Sequence, residues 1–573
     1  MNWRSRVWIV GCCVLLGVIS ATAVPGDWPG PALTIGRDTA GEPLQVLLSP
    51  DAFHYRSDKL RCLLVVDPGP AGSDPRQTAI EQISVSFTPA QREGCQWAVI
   101  IVPPEPDGGA ARVYPPAGDA YLNPQTRLAH TIWRFAHLFA PDFIGEYITT
   151  ADPWWQAQLQ APAEVSGQGR LTHEFSRQSW QGLPGAPGFR LLAEPAAADP
   201  AAREFSGLDR FHKLLHAPPE ERLSPLHREV LQRLNRSPQQ VVDQLLEVYG
   251  RGLKELMYQP ALAVLIRLER ARATGDAAEL ARVEQLLEPY LSGSKPALPT
   301  NAGGSHFSGH LVLAGWAQQQ RDERAIGLIR AVAERGFTAT GQPLPAMPTH
   351  AEMSDAVFMA CPILIAAAGL CEEPKYLEFA QQHFEFMAKL CLRPDGLYRH
   401  SPLCEAAWGR GNGFPALGLA LSLTELERIL SAQPAGPLQT AASRVRAALL
   451  TAFEQHVSAL LKQQDPTGMW LQVIDDPRSY RELTATCMIG LALERGLQRG
   501  WLQGDEYRSS ADRAWGAVQI RVSERGELVD VCTGTGKQKT LEDYFNRTAV
   551  AGPDERGGAM VLLFAWERAL ATR

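Results

Sequence analysis

The stretch Ser354-Asp355-Ala356-Val357-Phe358-Met359-Ala360-Cys361-Pro362-Ile363-Leu364 decides the fold of this chain. It has the pattern of a helix, and every side chain quoted after Asp355 is apolar. A helix that is apolar on nearly every face has to be buried on all sides. Other helices must therefore surround it, and we predict that it belongs to the inner ring of a helical toroid.

Helical patterns continue on both sides of this stretch, from about residue 225 to the end. Pro and Gly clusters separate most of them. The predicted helices are 226–249, 253–272, 277–291, 309–320, 322–335, 354–370, 374–391, 411–431, 437–464, 482–497, 504–522 and 556–571. They form six hairpins without a strict sequence repeat, which argues against a tetratricopeptide or HEAT array. We predict an (α/α)6 barrel over residues 225–573.

The region before the barrel has the pattern of a small α/β domain, so the chain is predicted to be multidomain. Residues 61–66 and 97–102 are short apolar runs that end in turn-forming Pro and Gly residues, and 128–139 has helical periodicity. We assign 24–150 to this domain. Residues 151–224 are rich in Pro, Gly, Ala and Gln, and we interpret them as a loop-rich linker.

The domain at 24–150 faintly resembles the zinc carboxypeptidases, through Ile35-Gly36-Arg37, Gly41 and the strand that leads to Pro106-Asp107-Gly108. In that family the first strand runs into a loop that carries a zinc-binding His and Glu. Here that loop is Asp67-Pro68-Gly69-Pro70, which has neither. The resemblance therefore implies a degenerate domain without peptidase activity.

The first 23 residues are typical of a cleaved signal peptide. Arg4 and Arg6 precede a short apolar run, Val7 to Ile19, and Ala21-Thr22-Ala23 fits the cleavage rule. The run is shorter than the roughly 20 residues that span a bilayer, so no membrane anchor is expected after cleavage. We predict a secreted or periplasmic protein, in which Cys62 and Cys95 are the one candidate disulfide.

Composition excludes some partners. The formal net charge is −7 and 45% of the residues are apolar, which suits a globular protein. Nucleic-acid binding requires a concentrated basic surface, and we expect none. An acidic substrate would have to be held by local cations rather than by the overall charge.

The residues typical of a binding site lie between the predicted helices. Segments 397–402, 407–414 and 468–477 are dense in His, Arg, Trp, Gly and Asn. Aromatic rings beside directed hydrogen-bond donors and acceptors form the mixture that binds sugars. We therefore predict a carbohydrate site at the loops of the barrel.

Five pieces, in order, resemble the unsaturated glycuronyl hydrolases of glycoside hydrolase families 88 and 105. They are Asp355-x-x-Phe358-Met359, Asp395-Gly396-Leu397-Tyr398-x-His400, Trp408-Gly409-Arg410-Gly411-Asn412-Gly413, Gly468-x-Trp470-x-Gln472-Val473-x-Asp475 and Glu482-x-x-x-Thr486. The resemblance spans about residues 230–573 and implies an (α/α)6 barrel. It also implies an acidic oligosaccharide substrate that ends in a 4,5-unsaturated uronic acid.

The resemblance implies that Asp355 is the catalytic acid, which protonates C4 of that sugar and helps water to add at C5. A carboxyl group at the mouth of an apolar helix is also partly desolvated, which suits an acid catalyst. The alternative role for Asp355 is to stabilise the helix dipole. The expected substrate-binding residues are His306, His310, His350, His400, Trp408, Arg410, Asn412, Trp470 and Gln472. The alternatives are structural ion pairing for Arg410, a satisfied loop histidine for His400 and core packing for the tryptophans.

Two departures from the family concern its substrate-binding surface. Many members have Trp where this chain has Phe414, and a second family Asp is absent, because no Asp occurs between Asp276 and Asp322. His306 or His310 are the candidates to replace it. Four residues apart, they could share one helix face as a metal pair, but no third ligand is evident, so we predict neither metal nor cofactor.

Two other functions stay open at this point. A glycosidase acting on intact uronides or other glycosides would need a second carboxyl group roughly 5 to 9.5 Å from Asp355, and Glu352, Glu405 and Glu482 are the candidates. A non-catalytic carbohydrate-binding toroid would instead show an aromatic pocket with Asp355 exposed and without a partner.

Overall fold

The chain forms a six-stranded sheet followed by a closed ring of helices. The computed structural model describes residues 32–66, 77, 80, 87–103, 112–148, 170–192, 208–348, 352–432 and 434–572. The strands of the sheet are β1 (Ala32–Arg37), β2 (Pro43–Leu48), β3 (Leu60–Val66), β4 (Cys95–Ile101), β5 (Phe143–Ile148) and β6 (Gly188–Leu192). Their order is β1-β2-β4-β3-β5-β6; β1, β2 and β4 run antiparallel, and β4, β3, β5 and β6 run parallel.

Both faces of the sheet are covered. The helices whose bounds lie within the described residues of this region are α1 (Pro89–Glu93), α2 (Pro124–Phe139), α3 (Leu171–Phe175), α4 (Leu208–His216) and α5 (Pro219–Arg222). All seven residues of β3 are buried, as expected for a central strand with side chains packed on each face. The strands predicted at 61–66 and 97–102 and the helix predicted at 128–139 are confirmed.

The interpretation of 151–224 as a linker is corrected in its described part. Gly188–Leu192 pairs with β5 as a parallel edge strand, with α3 before it and α4 after it in the chain. The run is only five residues long and lies between Pro- and Gly-rich segments, so its composition hides a strand that forms because β5 offers an unpaired edge.

Helices of different lengths follow in the described chain, and they form or flank the ring. They are α6 (Pro225–Asn235), α7 (Pro238–Leu246), α8 (Tyr258–Thr274), α9 (Ala277–Leu291), α10 (Gly304–Gly309), α11 (Leu311–Gln320), α12 (Glu323–Ala333), α13 (Ala356–Cys371), α14 (Pro374–Cys391), α15 (Gly409–Ala432), α16 (Pro437–Leu461), α17 (Leu483–Gln498), α18 (Asp505–Gln519), α19 (Leu541–Phe545) and α20 (Glu555–Ala571). A 3₁₀ turn spans Glu334–Gly336, and the strands among these helices are β7 (Trp470–Leu471), β8 (Arg481–Glu482), β9 (Leu528–Cys532) and β10 (Ala549–Gly552).

Six helices form the inner ring, as the apolar stretch after Asp355 predicts. In order, α8, α11, α13, α15, α17 and α20 each contact the next, and α20 contacts α8. Each inner helix also packs against one outer helix, from α9, α12, α14, α16, α18 and α7. Within α13 every residue from Ala356 to Ala368 is buried. The (α/α)6 toroid is therefore confirmed, whereas the division of the chain into separate domains stays a prediction.

One predicted helix is wrong. The pattern at 226–249 is interrupted at Ser237-Pro238, where Ser237 caps α7 and Pro238 occupies its first turn. Proline has no amide hydrogen to donate within a continuous helix, and it is favoured at the first position of a new one. The apolar periodicity of the sequence continues across such a break, so by itself it predicts one helix where the structure has two.

The cysteines of the described chain are unpaired. Cys62 and Cys95 lie buried on neighbouring strands as free thiols, so the candidate disulfide is not formed. Burial, together with the neighbouring Cys95 thiol, raises the pKa of Cys62. Among the described helices, none is long and apolar enough to cross a membrane.

Candidate active site

Several of the predicted site residues lie at the end of the ring where the inner helices begin. Asp355 directly precedes α13, and Arg410 lies in the first turn of α15. Tyr258, the first residue of α8, packs edge-on against Phe358 in the first turn of α13 and Phe414 in the second turn of α15. Helix N-termini carry partial positive charge, so their convergence favours negative charge at this end.

Asp355 faces His400 inside this end of the ring. Its Oδ1 lies 3.3 Å from Nε2 of His400, and the two residues are 6% and 0% exposed. The pair is not aligned for a hydrogen bond, and neither atom has another hydrogen-bond partner in the described chain. Buried polar atoms are normally bonded, so an unsatisfied pair of this kind is typical of a functional site.

Tyr544 lies on the other side of the His400 imidazole from Asp355, so that the three side chains form a row. Its hydroxyl oxygen lies 2.8 Å from Nδ1 of His400, and it accepts a hydrogen bond from the Gln538 amide at 3.4 Å. Burial raises the pKa of the Tyr544 phenol, and the charge of Asp355 raises it further. Sequence analysis missed this residue. The capping box formed by Thr540 and Asp543 is the signal that could have located its helix, α19.

Trp408 lies between the imidazole and a guanidinium. Its ring centroid is 4.3 Å from that of His400, and the Arg410 guanidinium carbon is 4.7 Å from the Trp408 ring. Arg410 donates to the carbonyl oxygens of Cys532 and Thr533 at 2.6 and 2.8 Å. Burial by itself would lower the pKa of Arg410, but nearby acidic groups, among them Cys532, Glu482 and Asp355, leave it raised.

Two other predicted binding residues, Asn412 and Trp470, have structural partners. Asn412 bonds the backbone of Tyr398 at both amide atoms and also donates to the Trp408 carbonyl. Trp470 is fully buried, and its indole nitrogen donates to the Leu460 carbonyl at 2.8 Å. Their placement does not support the substrate contact predicted for Asn412 and Trp470, because neither has a free polar atom or an accessible face.

Gln472 is intermediate between these two groups. Its amide nitrogen donates to the Tyr544 carbonyl at 2.7 Å, while its buried Oε1 has no partner among the described residues. Gln472 therefore holds α19 and also leaves one acceptor unused beside the site. Phe414 stacks on Phe358 at 5.4 Å in the core, so it offers no sugar-binding face.

The loop that lacks the second aspartate lies next to α13. Ser308 in α10 contacts the Met359 sulfur at 3.0 Å, one turn after Asp355. Nδ1 of His310 bonds the His306 carbonyl at 2.7 Å, and burial lowers the pKa of His310 to about 4. His306 instead accepts from the Gly303 amide at its own helix start. A neutral imidazole does not supply the negative charge of a carboxylate, so His310 is a poor replacement for the missing aspartate.

His350 lies outside the described residues. In the described part of the chain, no three His, Cys, Asp or Glu side chains converge in a group that could hold a metal ion. The loop at 67–70, which lacks the zinc ligands of the carboxypeptidase family, also falls outside the described ranges.

The candidate second carboxylates are engaged elsewhere. Glu482 is fully buried, and its oxygens accept hydrogen bonds from Thr484, the Ala485 amide and the Cys532 amide. Glu352 and Glu405 are exposed and form ion pairs with Lys537 and Arg399. This arrangement favours chemistry with one carboxyl group over a two-carboxylate glycosidase. The burial of Asp355 against His400 likewise disfavours a merely binding toroid.

Comparison with known proteins gives a family match over the ring. The model of the family described as Glycosyl Hydrolase Family 88 matches residues 240–571. The unsaturated rhamnogalacturonyl hydrolase YesR of Bacillus subtilis (strain 168) is 27% identical over 199 residues, which are 33% of this chain and 52% of that protein. An unsaturated 3S-rhamnoglycuronyl hydrolase of Alteromonas sp. (strain LOR) is 26% identical over 187 residues, 30% of this chain and 42% of that one. The chain thus spans about half the length of the curated relatives it matches.

Solved structures of similar helical proteins were also found. A glycoside hydrolase of family 105 from C. acetobutylicum ATCC 824 is 18% identical with a TM-score of 0.48, covering 58% of this chain and 99% of its own. A possible family 105 member from Salmonella enterica subsp. enterica serovar Paratyphi A is 20% identical with a TM-score of 0.47, covering 60% and 94%.

Proposed function

Because this chain belongs to glycosyl hydrolase family 88, we propose that it hydrolyses unsaturated uronyl residues from the ends of oligosaccharides produced by polysaccharide lyases. The family match covers residues 240–571, the part of the chain that forms the ring. The names of the relatives, unsaturated rhamnogalacturonyl and rhamnoglycuronyl hydrolases, favour substrates in which the unsaturated uronate is joined to rhamnose.

One observation carries the proposal. The Asp355 carboxyl group is buried at the mouth of an apolar inner helix, and its Oδ1 is left with only an unaligned contact to His400 Nε2 at 3.3 Å. A carboxyl group that is not committed to a hydrogen bond can exchange a proton with a ligand, because no existing bond has to be broken first. The buried carboxylate Glu482, whose oxygens are bonded, does not have this freedom.

The proposed reaction uses this one carboxyl group twice. Protonated Asp355 gives its proton to C4 of the C4=C5 double bond, which leaves positive charge shared by C5 and the ring oxygen. Water adds at C5 and returns a proton to the Asp355 carboxylate. The resulting hemiketal breaks its bond to the ring oxygen, which leaves a ketone at C5 and a hemiacetal at C1. The hemiacetal then opens and releases the rest of the oligosaccharide.

Charge at this end of the ring supports an acidic substrate. Arg410 is buried beside Trp408, and each of its terminal nitrogens spends one hydrogen on a backbone carbonyl, which leaves others for a ligand. The N-termini of the inner helices add partial positive charge from the same side. A uronate carboxylate placed here would gain charge-assisted hydrogen bonds that a neutral sugar would not.

Loss of near-ultraviolet absorbance tests the proposal, since hydration removes the conjugated double bond. The purified protein would be mixed with lyase-generated fragments of rhamnogalacturonan, alginate and glycosaminoglycan. We expect loss of absorbance with at least the rhamnose-linked fragments. Unchanged absorbance with every fragment would reject the function.

Export is part of the same proposal. Residues 1–23 have the pattern of a signal peptide, with Arg4 and Arg6 before a short apolar run and a small-residue cleavage site at 21–23. These residues lie outside the described part of the chain. Mass spectrometry of the mature protein from its host tests the point, with a new N-terminus near Val24 expected.

A further inference from the structure

Two buried arginines of the sheet region end on one short helix of the ring. Nη1 of Arg37, the last residue of β1, donates to Glu542 Oε2 at 2.7 Å, and its Nη2 donates to Asn546 Oδ1 at 3.2 Å. Arg127 in α2 donates to the same Asn546 oxygen at 3.0 Å and lies 3.7 Å from Glu542 Oε1. The Arg37 guanidinium also covers the Phe545 ring at 4.3 Å. Burying a cation costs free energy unless it is paired. These contacts supply the pairing for both guanidinium groups.

Helix α19, which these two arginines contact, also contains Tyr544, whose hydroxyl contacts His400. Helix α19 has only five residues, too few to be stable without tertiary contacts. On its other side, Gln472 donates to the Tyr544 carbonyl at 2.7 Å, and the Tyr544 hydroxyl reaches His400 Nδ1 at 2.8 Å. The position of the hydroxyl therefore depends on what holds α19 from both sides.

We propose that Arg37 and Arg127 act as positioning residues, which hold α19 so that the Tyr544 hydroxyl selects the His400 tautomer that presents Nε2–H to Asp355. The Gln538 amide donates to the Tyr544 oxygen at 3.4 Å, and in the proposed arrangement the phenol hydrogen points to His400 Nδ1 at 2.8 Å, which is then the acceptor. A neutral imidazole that accepts at Nδ1 carries its hydrogen on Nε2. Nε2 lies 3.3 Å from Asp355 Oδ1.

This tautomer serves the function proposed above, on which the inference rests. After Asp355 has given its proton to the substrate, its carboxylate is buried, and a donor at Nε2 stabilises the charge as it forms. The opposite tautomer would present a lone pair to that carboxylate and destabilise it. The sheet region thereby acquires a role in the reaction without contacting the substrate.

Substitutions along this row of contacts separate positioning from simple support. Tyr544→Phe removes one oxygen and keeps the ring. Arg37→Gln removes the charge that binds Glu542, and Arg37→Lys keeps it. The matched control is Arg56→Gln, because Arg56 also joins the sheet region to the ring, through Asn235 at 2.7 Å, but its contacts do not lead to His400.

The first measurement is steady-state kinetics by absorbance loss. Partners that orient a metal-binding histidine typically contribute 10- to 100-fold, and for the corresponding contact to His400 we expect kcat to fall by about tenfold in Tyr544→Phe with KM nearly unchanged. Arg37→Gln should lower kcat in the same direction, Arg37→Lys should restore most of it, and Arg56→Gln should leave it unaltered. An equal fall in kcat for Arg56→Gln would overturn the proposal.

The second measurement needs no substrate. Imidazole nitrogen chemical shifts of the labelled full-length protein report the tautomer, and the His400 signals are identified by their absence in His400→Asn. We expect the Nε2–H form in the wild type and a shift toward Nδ1–H in Tyr544→Phe and Arg37→Gln. An unchanged tautomer in Tyr544→Phe would overturn the inference even if the enzyme is active. A wild type that is inactive on all fragments but shows the expected shifts would instead reject the proposed function alone.

Discussion

The two ends of the helical ring treat a buried carboxylate in opposite ways. At the end where the inner helices begin, Asp355 has an oxygen without a hydrogen-bond partner in the described chain. Toward the other end, Glu494 in α17 is equally buried, but Arg508 bonds both of its oxygens at 2.9 and 3.0 Å and Arg568 adds a bond at 2.6 Å. These arginines hold the pKa of Glu494 low, against the opposing effect of burial.

The difference separates a carboxylate that stabilises the fold from one that is free to react. Two arginines offset the cost of burying Glu494, and their hydrogen bonds keep its carboxylate ionised. The cost of burying Asp355 is not offset in this way, so part of the folding free energy is given up at this position. Functional sites are where such local inconsistencies are expected.

Asp355→Asn should have the largest effect on activity. General acid–base groups typically contribute 10²- to 10⁴-fold, so we expect kcat to fall by about 10³-fold. The free energy of unfolding should stay equal or rise, because Asp355 Oδ1 makes no hydrogen bond within the described chain that the substitution would break. Absorbance assays and denaturant unfolding measure the two quantities. Activity that persists in this variant would contradict the assignment of the acid.

Glu494→Gln should do the reverse. Hydrogen bonds to charged groups contribute about 1.5 to 3 kcal/mol, so the free energy of unfolding should fall by about 2 kcal/mol while kcat changes little. Glu378→Gln is the matched control, because Glu378 pairs with Arg444 on the exposed surface. If Glu494→Gln and Asp355→Asn alter stability equally, the contrast between the two ends fails.

The stabilising effect of Glu494 should depend on pH in a defined direction. Its pKa is lower in the folded chain than in the unfolded one, so its ionised form stabilises the fold above the unfolded value, about 4.3. That contribution is lost as the pH falls through the lower, folded value. The difference in unfolding free energy between wild type and Glu494→Gln should therefore be full at pH 7 and shrink in acid. A difference that is constant over this range would show that charge is not its cause.

His310→Gln should have the smallest effect, and it sharpens the contrast within the catalytic end. With its Nδ1 bonded to the His306 carbonyl and its pKa lowered to about 4, His310 is neutral at pH 7. We expect kcat/KM to fall by less than tenfold, or about 1.4 kcal/mol. A loss of 10²-fold or more would instead mean that His310 replaces the missing aspartate.

Sequence patterns predicted the helical ring and part of its candidate site. The apolar run after Asp355 predicts a helix that is buried all round, and the structure has it as α13. The His400 and Trp408 pieces also arrive beside Asp355 as expected. The break at Pro238 was missed because the apolar periodicity continues past the Ser237 cap. The strand β6 was missed because it forms on the free edge of β5, which exists only in the folded sheet.

The sequence by itself determined that an all-apolar helix belongs to the inner ring of six helical hairpins, because the number of apolar faces on a helix fixes how much of it must be covered. It also determined that an acidic residue stands at the mouth of that helix. Only the tertiary structure decided which side chains surround Asp355. Asn412 and Trp470 are spent on backbone carbonyls, whereas Tyr544, distant in sequence, reaches His400 because Arg37 and Arg127 hold its helix. Hydrogen-bond partners depend on distances and angles that no spacing along the chain encodes.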